Sequence, residues 1–164
     1  MYNSKLEGWI KCPSCGYMKK EAKSMISMDE ILMGRANFQD LSPELQANGN
    51  ALLTAVNAFR TEYGIPMIVT SGYRLDADNV AAGGAKNSAH MTLQACDFRD
   101  SDGALFEFIK KDPTILDRCG LWMEDPRWTS NWVHLQVRPA SVRVFLPYSD
   151  GRPATAPNRL ISLG

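Results

Sequence analysis

The sequence predicts an α+β domain, a small, mainly antiparallel sheet with flanking helices. Two observations carry this. Helical signatures, with caps and apolar faces, come first, over residues 27–63, and short apolar runs of strand length cluster after residue 66. The connections between those later runs are hairpin-like, which favours antiparallel pairing. The chain has 164 residues, 45% apolar and 22% charged, with a mean hydropathy of -0.25. That is one ordinary domain, able to bury a core and too apolar for disorder.

Residues 1–24 are a polar, Lys-rich lead-in, read as an N-terminal arm ahead of a main domain over 25–164. Ser27-Met28-Asp29-Glu30 is a capping box that opens a short helix through Ile31, Leu32 and Met33, stopped at Gly34. Ser42-Pro43-Glu44 opens a longer helix that places Leu45, Leu52, Val56 and Phe59 on one face, with Leu53 beside them. Gly49 is a weak spot inside it, and it ends near Tyr63-Gly64. Pro66–Thr70 is a short strand closed by Ser71-Gly72. Residues 75–90 form a long loop with a helical turn at Asp76–Ala82, ended by Gly83-Gly84. A loop that long in a compact domain carries function. Gln94–Arg99 is a strand, and Ser101-Asp102-Gly103 turns into a helix through Leu105, Phe108 and Ile109 that breaks at Asp112-Pro113. Leu121–Met123 and Trp132–Val137 are strands joined by a polar, Trp-bearing loop, and Val142–Leu146 is a last strand.

Charge and cysteines exclude several function classes. The balance of 18 Lys+Arg against 18 Asp+Glu argues against a nucleic-acid binder. No apolar run approaches the ~18 residues of a membrane span, and the first nine residues show no apolar signal core. Cys12-Pro13-Ser14-Cys15 reads as one knuckle of a zinc ribbon, but a closed structural site needs four ligands and there is no second such pair. Cys96 and Cys119 complete one only if the fold brings them near, and their apolar neighbours mark them as core fillers. A structural zinc at Cys12 and Cys15 is therefore not the favoured reading. A redox role lacks the βαβ context it would need.

The stretch that carries chemistry runs from Ser88 through His90 to Asp97, with Trp132-Val133-His134 downstream. His90 and His134 are the chain's two histidines. Two imidazoles and a carboxylate, with a fourth position open, are how a catalytic zinc is held. Strand alternation puts Ala95 and Asp97 on one face, leaving Cys96 and Phe98 for the core. It likewise puts Trp132 and His134 opposite Val133 and Leu135.

Three linked motifs then resemble a known family. Ser71-Gly72-Tyr73-Arg74, Ser88-x-His90-x6-Asp97 and Trp132-Val133-His134 are similar, in order and spacing, to the zinc D-Ala-D-Ala carboxypeptidases. These are related to VanY- and VanX-type peptidases, phage L-alanyl-D-glutamate endolysins and the Hedgehog amino-terminal domain. The match covers roughly residues 26–140. The resemblance implies a Hedgehog/DD-peptidase-like fold with His90, Asp97 and His134 as zinc ligands. It implies that Arg74 faces the substrate carbonyl or carboxylate. From the residues alone, Arg74 can equally pair with Asp76 or Asp78. Ser88 matches the serine beside the first ligand, as a hydrogen-bonding neighbour or as a turn residue.

The pattern breaks at three places. Leu93 replaces the motif glycine, so the loop between His90 and Asp97 is expected to differ slightly. Asn131 stands where many members carry the acidic general base, and an amide accepts no proton at neutral pH. Gln136 stands two residues after His134, where endolysins often have an acid. Glu124 and Asp125 are the substitute bases within reach if their strand pairs with Trp132–Val137; otherwise they form an exposed turn. The resulting expectation is a zinc peptidase acting on peptidoglycan stem peptides, as carboxypeptidase or endopeptidase, and of the phage type. It would be made in the host cytoplasm and delivered to the wall, or carried on the virion with other virion proteins. The alternative is a non-catalytic zinc-binding, wall-binding or virion structural module on the same fold.

Overall fold

The capping signals at Ser27 and Ser42 are where the helices begin. In a computed structural model, which describes residues 9–11, 18–20, 25–129 and 131–145, helix α1 spans Met28–Leu32. The Ser27 hydroxyl accepts the Glu30 N–H at 3.3 Å, and the Glu30 carboxylate accepts the Ser27 N–H at 2.9 Å. The helix stops at Met33, whose φ of 55° is left-handed, one residue before the expected glycine. Helix α2 spans Pro43–Tyr63, capped by Ser42 and closed by Gly64 at φ 72°. Its buried face carries Leu52, Ala55, Val56 and Phe59. Gly49 lies on that face because Leu93 packs there: a Cβ at Gly49 would sit 2.6 Å from Leu93 Cδ2.

The arm contributes strands β1 (Trp9–Lys11) and β2 (Met18–Lys20), paired antiparallel in a sheet of their own. Cys12 and Cys15 lie outside the described residues. The main sheet has five strands: β3 (Val69–Ser71), β4 (Ala95–Arg99), β5 (Trp122–Glu124), β6 (Trp132–Gln136) and β7 (Val144–Phe145). Their order is β3-β4-β6-β5-β7, antiparallel except where β7 runs parallel to β5. Strand β3 starts later than expected, at Val69 rather than Pro66, and proline has no N–H to give a ladder. Helix α3 (Asp76–Ala81) is the turn expected in the long loop, and α4 (Ala104–Lys111) follows β4. Asp100 caps α4 by accepting the Leu105 and Phe106 N–H groups at 2.9 and 3.1 Å. Helix α5 (Thr114–Arg118) was not expected; with five residues it shows too few turns for a periodic signal, yet it buries Ile115 and Leu116.

Alternation divides the sheet into a dry face and a working face. Cys96 and Phe98 of β4, Met123 of β5, and Val133 and Leu135 of β6 are buried in one core with Phe59, Leu105, Ile109 and Leu116. Each such side chain contributes about 1.5–3 kcal/mol by leaving water. Cys119 joins the same cluster. Burial pushes the Cys96 thiol well above its ordinary pKa, so it behaves as an apolar filler. The opposite face carries Asp97, Glu124, His134 and Gln136, and it lines a cleft.

Candidate metal centre

One row of residues across the sheet supplies most of the site. The registers pair Ser71 with Asp97, Asp97 with His134, and Glu124 with Phe145. Trp122 pairs with Gln136 and Met123 with Leu135, and continuing that register puts Glu124 opposite His134. Side chains directly opposite on one face sit about 4.5–5.5 Å apart at Cβ. The row therefore reads Ser71, Asp97, His134, Glu124, Phe145. His90 reaches it from above, on the 3₁₀ turn Ala89–Thr92. Ser88 caps that turn, its hydroxyl accepting the His90 N–H at 3.3 Å, so it is a turn-forming serine.

Three atoms converge. His90 Nε2 lies 3.3 Å from Asp97 Oδ1 and 3.2 Å from His134 Nδ1, and His134 Nδ1 lies 2.8 Å from Asp97 Oδ1. Tetrahedral zinc with bonds of about 2.0–2.1 Å holds its ligand atoms about 3.3 Å apart. The triangle fits one face of such a tetrahedron and leaves the fourth position open. The outer hydrogen bonds prepare both rings. His90 Nδ1–H donates to the Gly72 carbonyl at 2.7 Å, which turns the Nε2 lone pair inward. The Gln136 amide nitrogen donates to the Arg138 carbonyl at 2.6 Å, so its oxygen faces His134 Nε2 at 3.2 Å as an acceptor. His134 Nε2 therefore carries a proton, and Nδ1 is the free ligand atom.

Electrostatics agree with this donor set. Burial works against ionising Asp97, but the hydrogen bond from His134 outweighs it and holds the carboxyl well below its usual range. Burial keeps His90 neutral, below the ordinary histidine value. Burial also opposes protonation of His134, yet the Asp97 carboxylate overcomes this and raises it. Without a metal, a proton thus sits between His134 Nδ1 and Asp97 Oδ1, where a divalent cation would replace it. Among the described residues, His90, Asp97 and His134 form the group able to hold a metal ion.

A family model described as peptidase M15 matches residues 27–135. The chain belongs to the peptidase M15 family. No curated protein matches it. Membership makes this a metallopeptidase-type domain, and peptidases of this family are zinc-dependent. No helix among the described residues is long and apolar enough to cross a membrane.

The family motifs take on physical reasons in this structure. Gly72 cannot carry a side chain: a Cβ there would lie 1.9 Å from the Ile31 carbonyl oxygen at the end of α1. That same carbonyl accepts the Tyr73 N–H at 2.8 Å, so the close approach fixes the carbonyl of Gly72 that holds His90. Arg74 does not pair with Asp76 or Asp78. Its Nε–H donates to Ser71 Oγ at 2.9 Å, and Nη2 donates to Asp97 Oδ2 at 3.0 Å, while Asp78 pairs with Arg35. One Asp97 oxygen is thus held by Arg74 and the other is turned to the histidines. Leu93, expected to alter its loop, instead adopts the glycine conformation, with φ 57°. Full burial against α2 offsets the roughly 1–2 kcal/mol that a left-handed leucine costs.

The structure separates the two substitute bases. Glu124 lines the cleft, and burial raises its pKa, with His134, Asp97 and Arg74 close enough to act on its charge. Asp125 does not join it. Its carboxylate is held by the Arg127 guanidinium at 2.6–3.1 Å, which lowers its pKa, and it also accepts the Arg127 N–H. Asn131 is exposed, and its carbonyl accepts the Asp100 N–H at 2.8 Å. It precedes β6 and is not among the residues that line the cleft. The cleft has a volume of about 940 Å³. Trp128, Trp132, Arg138 and Phe145 complete its walls, and the Phe145 ring meets His134 edge-on at 6.0 Å. Sequence reasoning missed Arg138 and Phe145 as site residues. Phe145 falls in the strand expected over Val142–Leu146, but its pairing with Glu124 is not a local signal, and a single arginine beyond a strand end gives no pattern to read.

Proposed function

We propose that this protein is a zinc-dependent peptidase that hydrolyses peptidoglycan stem peptides. The convergence of His90 Nε2, Asp97 Oδ1 and His134 Nδ1 at the floor of an open cleft, in a member of a peptidase family, carries this reading. Zinc held there supplies Lewis acidity and makes water nucleophilic at neutral pH. The chain's own groups do the rest. The Glu124 carboxylate takes the proton from the attacking water and passes it to the leaving amine nitrogen, as general base and then general acid. Two N–H groups on Arg74 Nη1 and one on Nη2 have no partner among the described residues and serve the carbonyl oxygen as it gains negative charge. Trp128 and Trp132 supply apolar walls for the peptide.

In this reading the domain begins at residue 25, the arm over 1–24 is an appendage, and the protein is of the phage type, delivered to the wall or carried on a virion. Purified protein, loaded with zinc and incubated with peptidoglycan, is expected to release free amines, and a chelator is expected to stop the release. The identity of the new amino ends distinguishes carboxypeptidase from endopeptidase action. Stoichiometric zinc with no amine released would sink the peptidase and leave the non-catalytic wall-binding module.

A further inference from the structure

The cleft holds two arginines with different electrostatic standing. Arg74 is neutralised by Asp97 at 3.0 Å. Arg35, Arg118, Arg127 and Arg143 likewise each reach a carboxylate, at 2.8, 2.6, 2.6 and 2.6 Å. Arg138 does not. Its guanidinium donates to Gln94 Oε1 at 3.1 Å, to the Asn87 carbonyl at 2.6 Å and to Thr92 Oγ1. All three acceptors are neutral. Burial alone acts on its pKa, downward, with no carboxylate to raise it back. Of the five N–H donors of a guanidinium, those three bonds leave two without a partner among the described residues.

This half-buried cation lines the same cleft as His90 and His134. Three bonds fix its plane against the segment that carries His90, so little side-chain freedom is left to lose on binding. A rigid, uncompensated guanidinium with spare donors is matched by an oxyanion, which it binds with charge-assisted hydrogen bonds, and on a peptide that oxyanion is a carboxylate.

We propose that Arg138 is the residue that recognises a carboxylate of the substrate peptide, leaving Arg74 to orient Asp97 and face the scissile carbonyl. This rests on the peptidase reading above, and it assigns acidic peptides as the substrate class. A stem peptide offers two such groups, the carboxyl terminus and the free carboxylate of an internal D-glutamyl residue.

The test measures binding apart from cleavage. Zinc-loaded protein is titrated with the stem pentapeptide L-Ala-D-Glu-L-Lys-D-Ala-D-Ala, with its two singly amidated forms, and with the doubly amidated form. Wild type is expected to bind the acidic peptide about tenfold more tightly than the doubly amidated one, a magnitude in keeping with one charge-assisted pair. The singly amidated peptide that loses the preference identifies the carboxylate. Arg138→Gln is expected to abolish the preference with zinc content unchanged, and Arg138→Lys to keep part of it. Equal binding of acidic and amidated peptides by wild type overturns the proposal, whatever the variants do. So does a preference that survives in Arg138→Gln, or a loss of zinc in that variant, which would make Arg138 only a clamp on the His90 segment. Preferential binding without cleavage keeps this inference and sinks the peptidase reading; cleavage without preference does the reverse.

Discussion

At His134 a single proton reports the state of the site. The Asp97 carboxylate raises this imidazole, so the metal-free protein holds the proton above the ordinary histidine range. A raised folded pKa means that the ion pair contributes stability below the unfolded value and loses it as pH climbs through the folded one. Zinc must displace that proton. Zinc binding near pH 6 is therefore expected to release close to one proton per chain from His134, a share that shrinks as pH rises past the raised value. Calorimetry in buffers of different ionisation enthalpy reads this directly, and a pH-independent zero would show that His134 is neutral in the metal-free protein. Glu124 is the other decisive residue. Glu124→Gln is expected to lower kcat by about 10²–10⁴-fold while zinc content stays at one per chain. Full activity in that variant would remove Glu124 as base.

Between elements, the site depends on two close approaches. Gly72 lets β3 meet the end of α1, and Gly49 lets α2 meet the turn that carries His90. Helix propensity alone favours Gly49→Ala by up to ~1 kcal/mol. The structure reverses that sign, because the new methyl would press on Leu93 in a filled core. A net destabilisation of about 1–2 kcal/mol is expected in chemical denaturation. A gain in stability would show that Leu93 can move aside freely. The row from Ser71 to Phe145 makes a similar point. The β4–β6 register sets Asp97 against His134, and a slip of β6 by one residue would turn His134 and Gln136 toward the core.

Across the molecule, zinc would tie together pieces far apart in the chain. His90 sits on a turn, and Asp97 and His134 on neighbouring strands. A ligand that binds only the folded form adds ~2.7 kcal/mol at a hundred times its Kd. For a domain of this size that corresponds to roughly 5–10 °C in Tm. Thermal scans with zinc and with chelator are expected to differ by about that amount. Identical midpoints would mean that the three residues hold no metal.

The α+β class, the capped helices and the His90, Asp97 and His134 group were legible in the sequence because each rests on local rules. Caps act within four residues, strand alternation has period two, and the motifs have fixed spacing. Alternation alone put Asp97 and His134 on faces away from the core, and it holds in β4 and β6. Other features were not legible because they depend on residues distant in sequence. The choice between Glu124 and Asp125 turned on which strand β5 pairs with and on Arg127 claiming Asp125. The conformation of Leu93 turned on the gap that Gly49 leaves 44 positions earlier. The neighbours of Arg138 come from the segment 87–94. Local chemistry thus determined which residues can bind a metal, and only the packing of the tertiary structure decided which charges remain free to act, because burial and pairing are properties of neighbours in space.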